Sequence, residues 1–212
     1  MRSAGWDMFV ALGLAGVLAI ATPGCGGANP PVKLTEEWPA AAGDYDDVVD
    51  EWTRKATMRG MYQEAFDIAV TFKSPAWRAA YAERDADHRG LQGAARQQVV
   101  DQAKAAAAGP YEFELLVTTW DARENDLHRG KKSVWRVALL DEQGNEIEPL
   151  EIVRDKRPPL VLRAEYPALG DFATAYIARF PRTSPVLGPN VRALTLRLSN
   201  PRGGVSVVWS TN

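Results

Sequence analysis

The chain has 212 residues, with 25 Lys and Arg against 27 Asp and Glu and a formal charge of −2. That length suits one domain with its own core, and the lack of a basic excess argues against nucleic acid as the main partner. Its single cysteine, Cys25, rules out an intrachain disulfide, so the fold must rest on hydrophobic burial, for which tryptophans are plentiful.

The first 27 residues read as a targeting segment. Arg2 precedes an apolar run from Met8 to Ala21, and Thr22-Pro23-Gly24-Cys25-Gly26-Gly27 follows. The run is shorter than the roughly 18 residues a membrane-spanning helix needs, and Gly13 and Gly16 weaken it as a permanent helix. A short basic start, an apolar stretch and small residues at its end mark a removable signal. With the only cysteine at the processing point, the segment resembles the export signal of bacterial lipoproteins.

That resemblance implies a signal peptide over residues 1–24, cut after Gly24, with Cys25 as the lipid acceptor and first mature residue. It implies a chain held in the cell envelope by acyl groups, enough for stable anchoring. Gly26 lacks the aspartate that keeps many such proteins at the inner membrane, which favours an outer-membrane or periplasmic-face location. The competing reading uses Ala19-Ile20-Ala21 as an ordinary A-x-A cleavage site and gives a soluble periplasmic or secreted protein with a free thiol.

Residues 25–43 hold six Gly and Pro and read as a tether, able to extend roughly 60 Å at about 3.3 Å per residue. Trp38 is placed to dock its end. A single domain is expected over 44–212, and its pattern turns helical over 44–60. There Tyr45, Val48, Val49, Trp52 and Ala56 form one stripe, with acidic residues early and basic ones late. The period then drops to two over 65–73, a strand. Ser74-Pro75 caps a helix, and a helical insertion runs over 75–108 to Gly109-Pro110.

From 111 to 210 the chain reads as β. Tyr111–Trp120, Trp135–Leu139, Ile147–Val153, Leu160–Tyr166, Phe172–Phe180, Leu194–Leu198 and Val205–Trp209 are the expected strands. Pro149 marks an edge or a bulge. The expected fold class is α+β, mainly β: an antiparallel sandwich of about eight strands, with an N-terminal helix and a helical insertion between the first two strands. The layout over 65–210 resembles the immunoglobulin-like sandwiches in architecture, without their Cys…Trp…Cys signature.

Catalytic signatures for serine hydrolases, zinc proteases, P-loops and dinucleotide sites are missing. The densest polar stretch is Asp121–Lys132. Within it, Asp121, Asn125, Asp126 and His128 are candidate cation ligands, although the spacing fits neither an EF-hand nor a common zinc site. A solvated loop is the plainer reading. Arg129, Lys131, Lys132 and Arg136 offer a basic end for anionic lipid or polysaccharide, opposed by neighbouring carboxylates. Trp120 is expected to lie buried under the helices, with sugar stacking or partner anchoring as its functional alternative. Trp52, Trp77, Trp135 and Trp209 are expected in the core.

The expected function is a non-enzymatic binding or assembly module, with no catalytic residue, cofactor or metal. Its candidate binding loop is Trp120, Asp121, Arg123, Asn125, Asp126, His128 and Arg129. Partners are the membrane through the anchor and an envelope protein or glycan. The alternatives are an envelope hydrolase using carboxylates near Asp121–Asp126, and a carbohydrate-binding module with an exposed aromatic pair.

Overall fold

The computed structural model describes residues 29–59 and 65–212. The signal over 1–24, its cleavage after Gly24 and the acceptor Cys25 lie outside the described residues.

Asp44 opens the first helix, α1 (Tyr45–Trp52), by accepting hydrogen bonds from the backbone amides of Asp46 and Asp47. Its apolar stripe of Tyr45, Val48, Val49 and Trp52 is buried. The helix stops there, eight residues short of the expected end at residue 60. Residues Thr53–Arg59 form strand β1, which pairs antiparallel with β2 (Ala65–Phe72) along seven residues. The β-branched Thr53 and Thr57 tolerate either state, and pairing decided between them. The Thr53 hydroxyl meets that of Thr71 across the strands at 2.7 Å, while Arg54 turns inward and is almost wholly buried.

Ser74 caps α2 (Pro75–His88), accepting from the Trp77 amide at 3.1 Å, with Pro75 at the first helical position. After Arg89-Gly90, α3 (Gly93–Ala107) packs back on α2 and buries no residue fully. The helical pair therefore lies between the second and third strands, because β1 was not foreseen.

Next come β3 (Tyr111–Thr119), β4 (Arg136–Leu140), β5 (Glu146–Ile147), β6 (Glu151–Arg154), α4 (Pro159–Glu165), β7 (Thr174–Phe180), β8 (Ala193–Asn200) and β9 (Gly203–Ser210). Two further expectations are corrected. Ile147–Val153 is not one strand: Pro149 lies between β5 and β6, which belong to different sheets. Leu160–Tyr166 is not a strand but α4 and its cap. Pro159 lacks an amide to give a ladder and suits a first helical turn, and Leu162, Glu165 and Tyr166 are buried at helical spacing.

Two antiparallel sheets result, in the orders β1-β2-β3-β7-β6 and β5-β4-β8-β9. Their arrangement is sandwich-like, and the core between them is aromatic. Trp209 of the second sheet meets Phe72 and Phe113 of the first at ring-centroid distances of 6.1 and 5.6 Å, and Trp135 meets Phe66 at 4.2 Å. Trp52, Trp77, Trp135 and Trp209 are all buried, as expected.

Residues 30–34 do not form part of the flexible tether that composition implied. Val32 and Leu34 are buried. The Val32 amide donates to Ser210 O at 2.9 Å, the Leu34 carbonyl accepts from Gly188 N, and Arg54 donates to Pro30 O at 2.7 Å. From Pro30 onward these residues belong to the body of the domain, where two apolar side chains and three backbone acceptors or donors find partners.

Candidate functional site

The loop between β3 and β4 is latched to the sheet. The Asn125 amide donates to Val117 O (2.9 Å) and Thr174 Oγ1 (3.1 Å), and the Tyr176 hydroxyl lies 2.7 Å from Asn125 O and 2.8 Å from its Oδ1. Asp126 is buried and accepts from the Ser133 hydroxyl and the Val134 amide, while Trp135 donates to Glu124 O. Asp121 accepts from the Arg123 amide and guanidinium, which hold its carboxyl at about 2. His128 is exposed on the loop, with its ring roughly parallel to that of Tyr176. Slight burial and the nearby Arg154 lower its pKa. Arg129 is exposed and 3.6 Å from Asp126.

Those positions, with that of Trp120, correct the sequence reading. The loop is not simply solvated, since Asn125 and Asp126 spend their bonding capacity on fastening it. Asp121 and Asp126 bond to different partners, and no group of three or more His, Cys, Asp or Glu suited to a metal occurs among the described residues. Trp120 is also not covered by the helices; it is 80% exposed. The helices cover the other end of the sheet, because α2 leaves from the Phe72 end of β2, paired with Phe113, whereas Trp120 follows the opposite end of β3.

The chemistry gathers instead beneath α2. Glu112 and Glu114 are two residues apart on β3 and so share the face turned away from the inter-sheet core. Along that face charges alternate from strand to strand. Lys73 Nζ donates to Glu112 Oε1 at 2.7 Å, Arg179 Nε donates to Glu112 Oε2 at 2.9 Å, and Arg179 pairs again with Glu151. One step along, Glu114 is completely buried. Lys73 Nζ is 3.1 Å from its Oε2, an ion-pair distance, but is aimed at Glu112. Neither Glu114 oxygen accepts a hydrogen bond of ordinary geometry.

Two neighbouring acids are thereby driven apart. Burial raises Glu112, but Lys73, Arg179 and Arg78 outweigh it and hold the carboxyl at about 2. For Glu114 burial wins over Lys73, the nearby Asp155 adds to it, and the carboxyl is pushed up to about 7. Beside them Arg157 binds Asp155 (2.6 Å) and Glu165, and the Tyr81 hydroxyl donates to Glu165 Oε1 (3.1 Å).

A cavity of about 350 Å3 opens onto this cluster, with Lys73, Trp77, Arg78, Glu112, Arg157 and Tyr166 in its wall and Val99 and Gln102 of α3 at its rim. The Trp77 and Tyr166 rings are parallel, 6.1 Å apart. Both are almost wholly buried, and the Trp77 indole N–H and the Tyr166 hydroxyl have no hydrogen-bond partner. An unpaired buried polar group costs on the order of 1–3 kcal/mol. Neither of those atoms has surface in the cavity; what the cavity itself offers a small polar molecule is the charged wall of Lys73, Arg78, Glu112 and Arg157. A larger groove of about 770 Å3 runs past Val134, Pro149 and Leu150, and no unpaired buried polar group borders it.

Sequence reasoning missed these residues. The available signal was Glu112 and Glu114 inside an otherwise apolar strand, Tyr-Glu-Phe-Glu-Leu-Leu-Val, in a sheet whose second face had helices to cover it. Searched against family models, curated proteins and solved structures, the chain matches none of them.

Proposed function

We propose that the chain is a bacterial envelope lipoprotein, anchored through acylated Cys25, whose immunoglobulin-like β-sandwich is a non-enzymatic module binding a small polar ligand under α2. The anchor is supported by the basic start, the short apolar run and the lone cysteine behind Gly24. The finer description of the sandwich is supported by two antiparallel sheets of five and four strands with aromatic rings meeting between them.

The observation that supports the binding role is the cavity under α2 and its charged wall of Lys73, Arg78, Glu112 and Arg157. Binding suits it better than catalysis. Glu114 is the acid with a proton-transfer pKa, yet it has no surface in the cavity, and Glu112, which does, is saturated by cations. The hydrolase alternative needs carboxylates of Asp121 and Asp126 to meet, and they point to different partners. The glycan alternative needs a coplanar exposed aromatic pair, and none of the stacked ring pairs among the described residues includes the exposed Trp120.

Mass spectrometry of the protein extracted from its membrane tests the anchor. The N-terminal peptide is expected to begin at Cys25 with acyl groups. Thermal-shift screening of envelope-derived amino acids, peptides and amino sugars is expected to find a stabilising compound whose effect is lost in Arg78→Gln and Arg157→Gln. If no compound separates the variants from the parent, the binding role is refuted.

A further inference from the structure

Four cations stand in the wall of the cavity under α2: Lys73, Arg78, Arg89 and Arg157. Three of them meet carboxylates closely. Lys73 holds Glu112 at 2.7 Å and lies 3.1 Å from Glu114, Arg89 pairs with Asp85 at 2.9 Å, and Arg157 pairs with Asp155 at 2.6 Å and with Glu165. Arg78 differs. Its side chain is only 13% exposed, and the carboxylate oxygen it faces, Glu112 Oε1, is 4.0 Å away. Both Glu112 oxygens already accept from other cations, Oε1 from Lys73 and Oε2 from Arg179.

The guanidinium of Arg78 is fixed from one side. Its Nε donates to Lys73 O at 3.2 Å, and its backbone amide donates to Ser74 O in the first turn of α2. The two terminal nitrogens donate to no described residue. They are not sealed away either, since the buried side-chain polar atoms without a partner among the described residues belong to Trp52, Trp77, Glu114 and Tyr166. The open end of the fork therefore gives onto the space that Arg78 lines. Burial lowers the Arg78 pKa, Glu112 does not restore it, and Arg179 and Arg182 add to the fall. A guanidinium nevertheless stays charged in a protein, so a largely dehydrated cation is left short of counter-charge.

The anions of the wall are in the opposite condition. A ligand ammonium would have to displace Arg89 from Asp85, or Lys73 and Arg179 from Glu112. A ligand anion displaces no bond at Arg78. We infer that the ligand taken up under α2 is a small carboxylate and that Arg78 is its charge partner, an inference that rests on the binding role proposed above. The planar fork matches the two oxygens of a carboxylate. One undercompensated cation calls for a single negative charge, whereas a phosphate dianion would bring a second. Ala82 of α2 and Val99 and Ala103 of α3 line the same space, so the body behind the carboxylate is small and partly apolar.

The test titrates the purified chain with N-acetyl amino acids and, in parallel, with their carboxamides, which keep the shape and lose the charge. Calorimetry and the 15N shifts of the arginine side chains are the readouts. At least one acid is expected to bind saturably and to move the Arg78 signal, assigned by its loss in Arg78→Lys, while the matching amide leaves that signal in place. Arg78→Gln is expected to weaken the acid at least about tenfold, and Arg78→Lys, which keeps the charge without the fork, to weaken it less. Melts without ligand come first; if Arg78→Gln does not fold, the shifts of the parent and the Arg78→Lys titration decide. Amides that bind as tightly as the acids, or acids that bind with Arg78 unmoved, overturn the carboxylate and leave the binding role standing. So do neutral compounds, or inorganic phosphate, that bind where every acid fails. A chain that binds nothing in these titrations or in the wider thermal-shift screen loses the binding role itself, and this inference with it.

Discussion

Replacing Glu114 by Gln tests the buried charge cluster most directly. The carboxyl titrates at about 7 in the fold against an ordinary 4.5, because burial disfavours its charged form more than Lys73 favours it. Between those two values the folded chain binds more protons than the unfolded one, so stability falls as pH rises. The stabilisation is fully present below about pH 4.5 and is gone once pH passes 7. At about 1.4 kcal/mol per pH unit the total is about 3 kcal/mol. For a domain of this size that is about 6–12 °C in Tm. Glutamine keeps the shape and cannot ionise, and Lys73 retains its 2.7 Å bond to Glu112. Melts of the Cys25→Ser chain at pH 5 and pH 8 should therefore show the parent losing about 3 kcal/mol more than the Glu114→Gln variant on going to pH 8. Equal losses would mean that Glu114 is already ionised at pH 5, and the argument from burial would be wrong.

Glu112 carries the opposite sign. Its depressed pKa, about 2, contributes stability above pH 4.5 that is lost on acidification towards pH 2, and urea midpoints at pH 5 and pH 2.5 should differ less in Glu112→Gln than in the parent. Asn125→Ala removes bonds to Val117, Thr174 and Tyr176; a loss of about 2–3 kcal/mol in urea unfolding is expected, with faster amide exchange across 121–133. Arg54→Ala strips donors from Val208 O, Glu51 O and Pro30 O; about 3 kcal/mol or more should be lost, and limited proteolysis should newly cut within 29–34. Trp120→Ser, by contrast, should change stability by no more than about 0.5 kcal/mol, since the ring is exposed. A larger drop on thermal melting would show that the ring is packed.

Elements with a local signal were legible. The Ser74-Pro75 cap and the periodicity of 111–119 and 193–210 predict what is found, because capping and alternation depend on near neighbours. Errors fell where distant partners decide. Residues 53–59 have helical spacing and a charge order that suits a helix, yet β2 supplies seven paired residues that outweigh both. Leu160–Tyr166 alternates well enough for a strand, but Pro159 and the contacts of Leu162 and Glu165 make it helix. Among the candidate site residues, Asp121, Asn125, Asp126 and Trp120 were singled out by density of polar groups and by size. Neither property tells whether a side chain points inward to brace a loop or outward to meet a partner.

From residues alone come the lone cysteine, the absence of the common catalytic motifs and an α+β body with antiparallel strands, all of them written in short stretches of chain. The tertiary structure decided that residues 30–34 belong to the body, that Lys73, Glu112, Glu114, Arg157 and Tyr166 form one cluster, and that Trp120 stands in solvent. The physical reason is that burial and ion pairing act through space. Lys73 and Glu112 are 39 positions apart in the chain and 2.7 Å apart in the fold. The pKa that separates Glu114 from Glu112 depends on which strands flank β3, and no window of sequence contains that order.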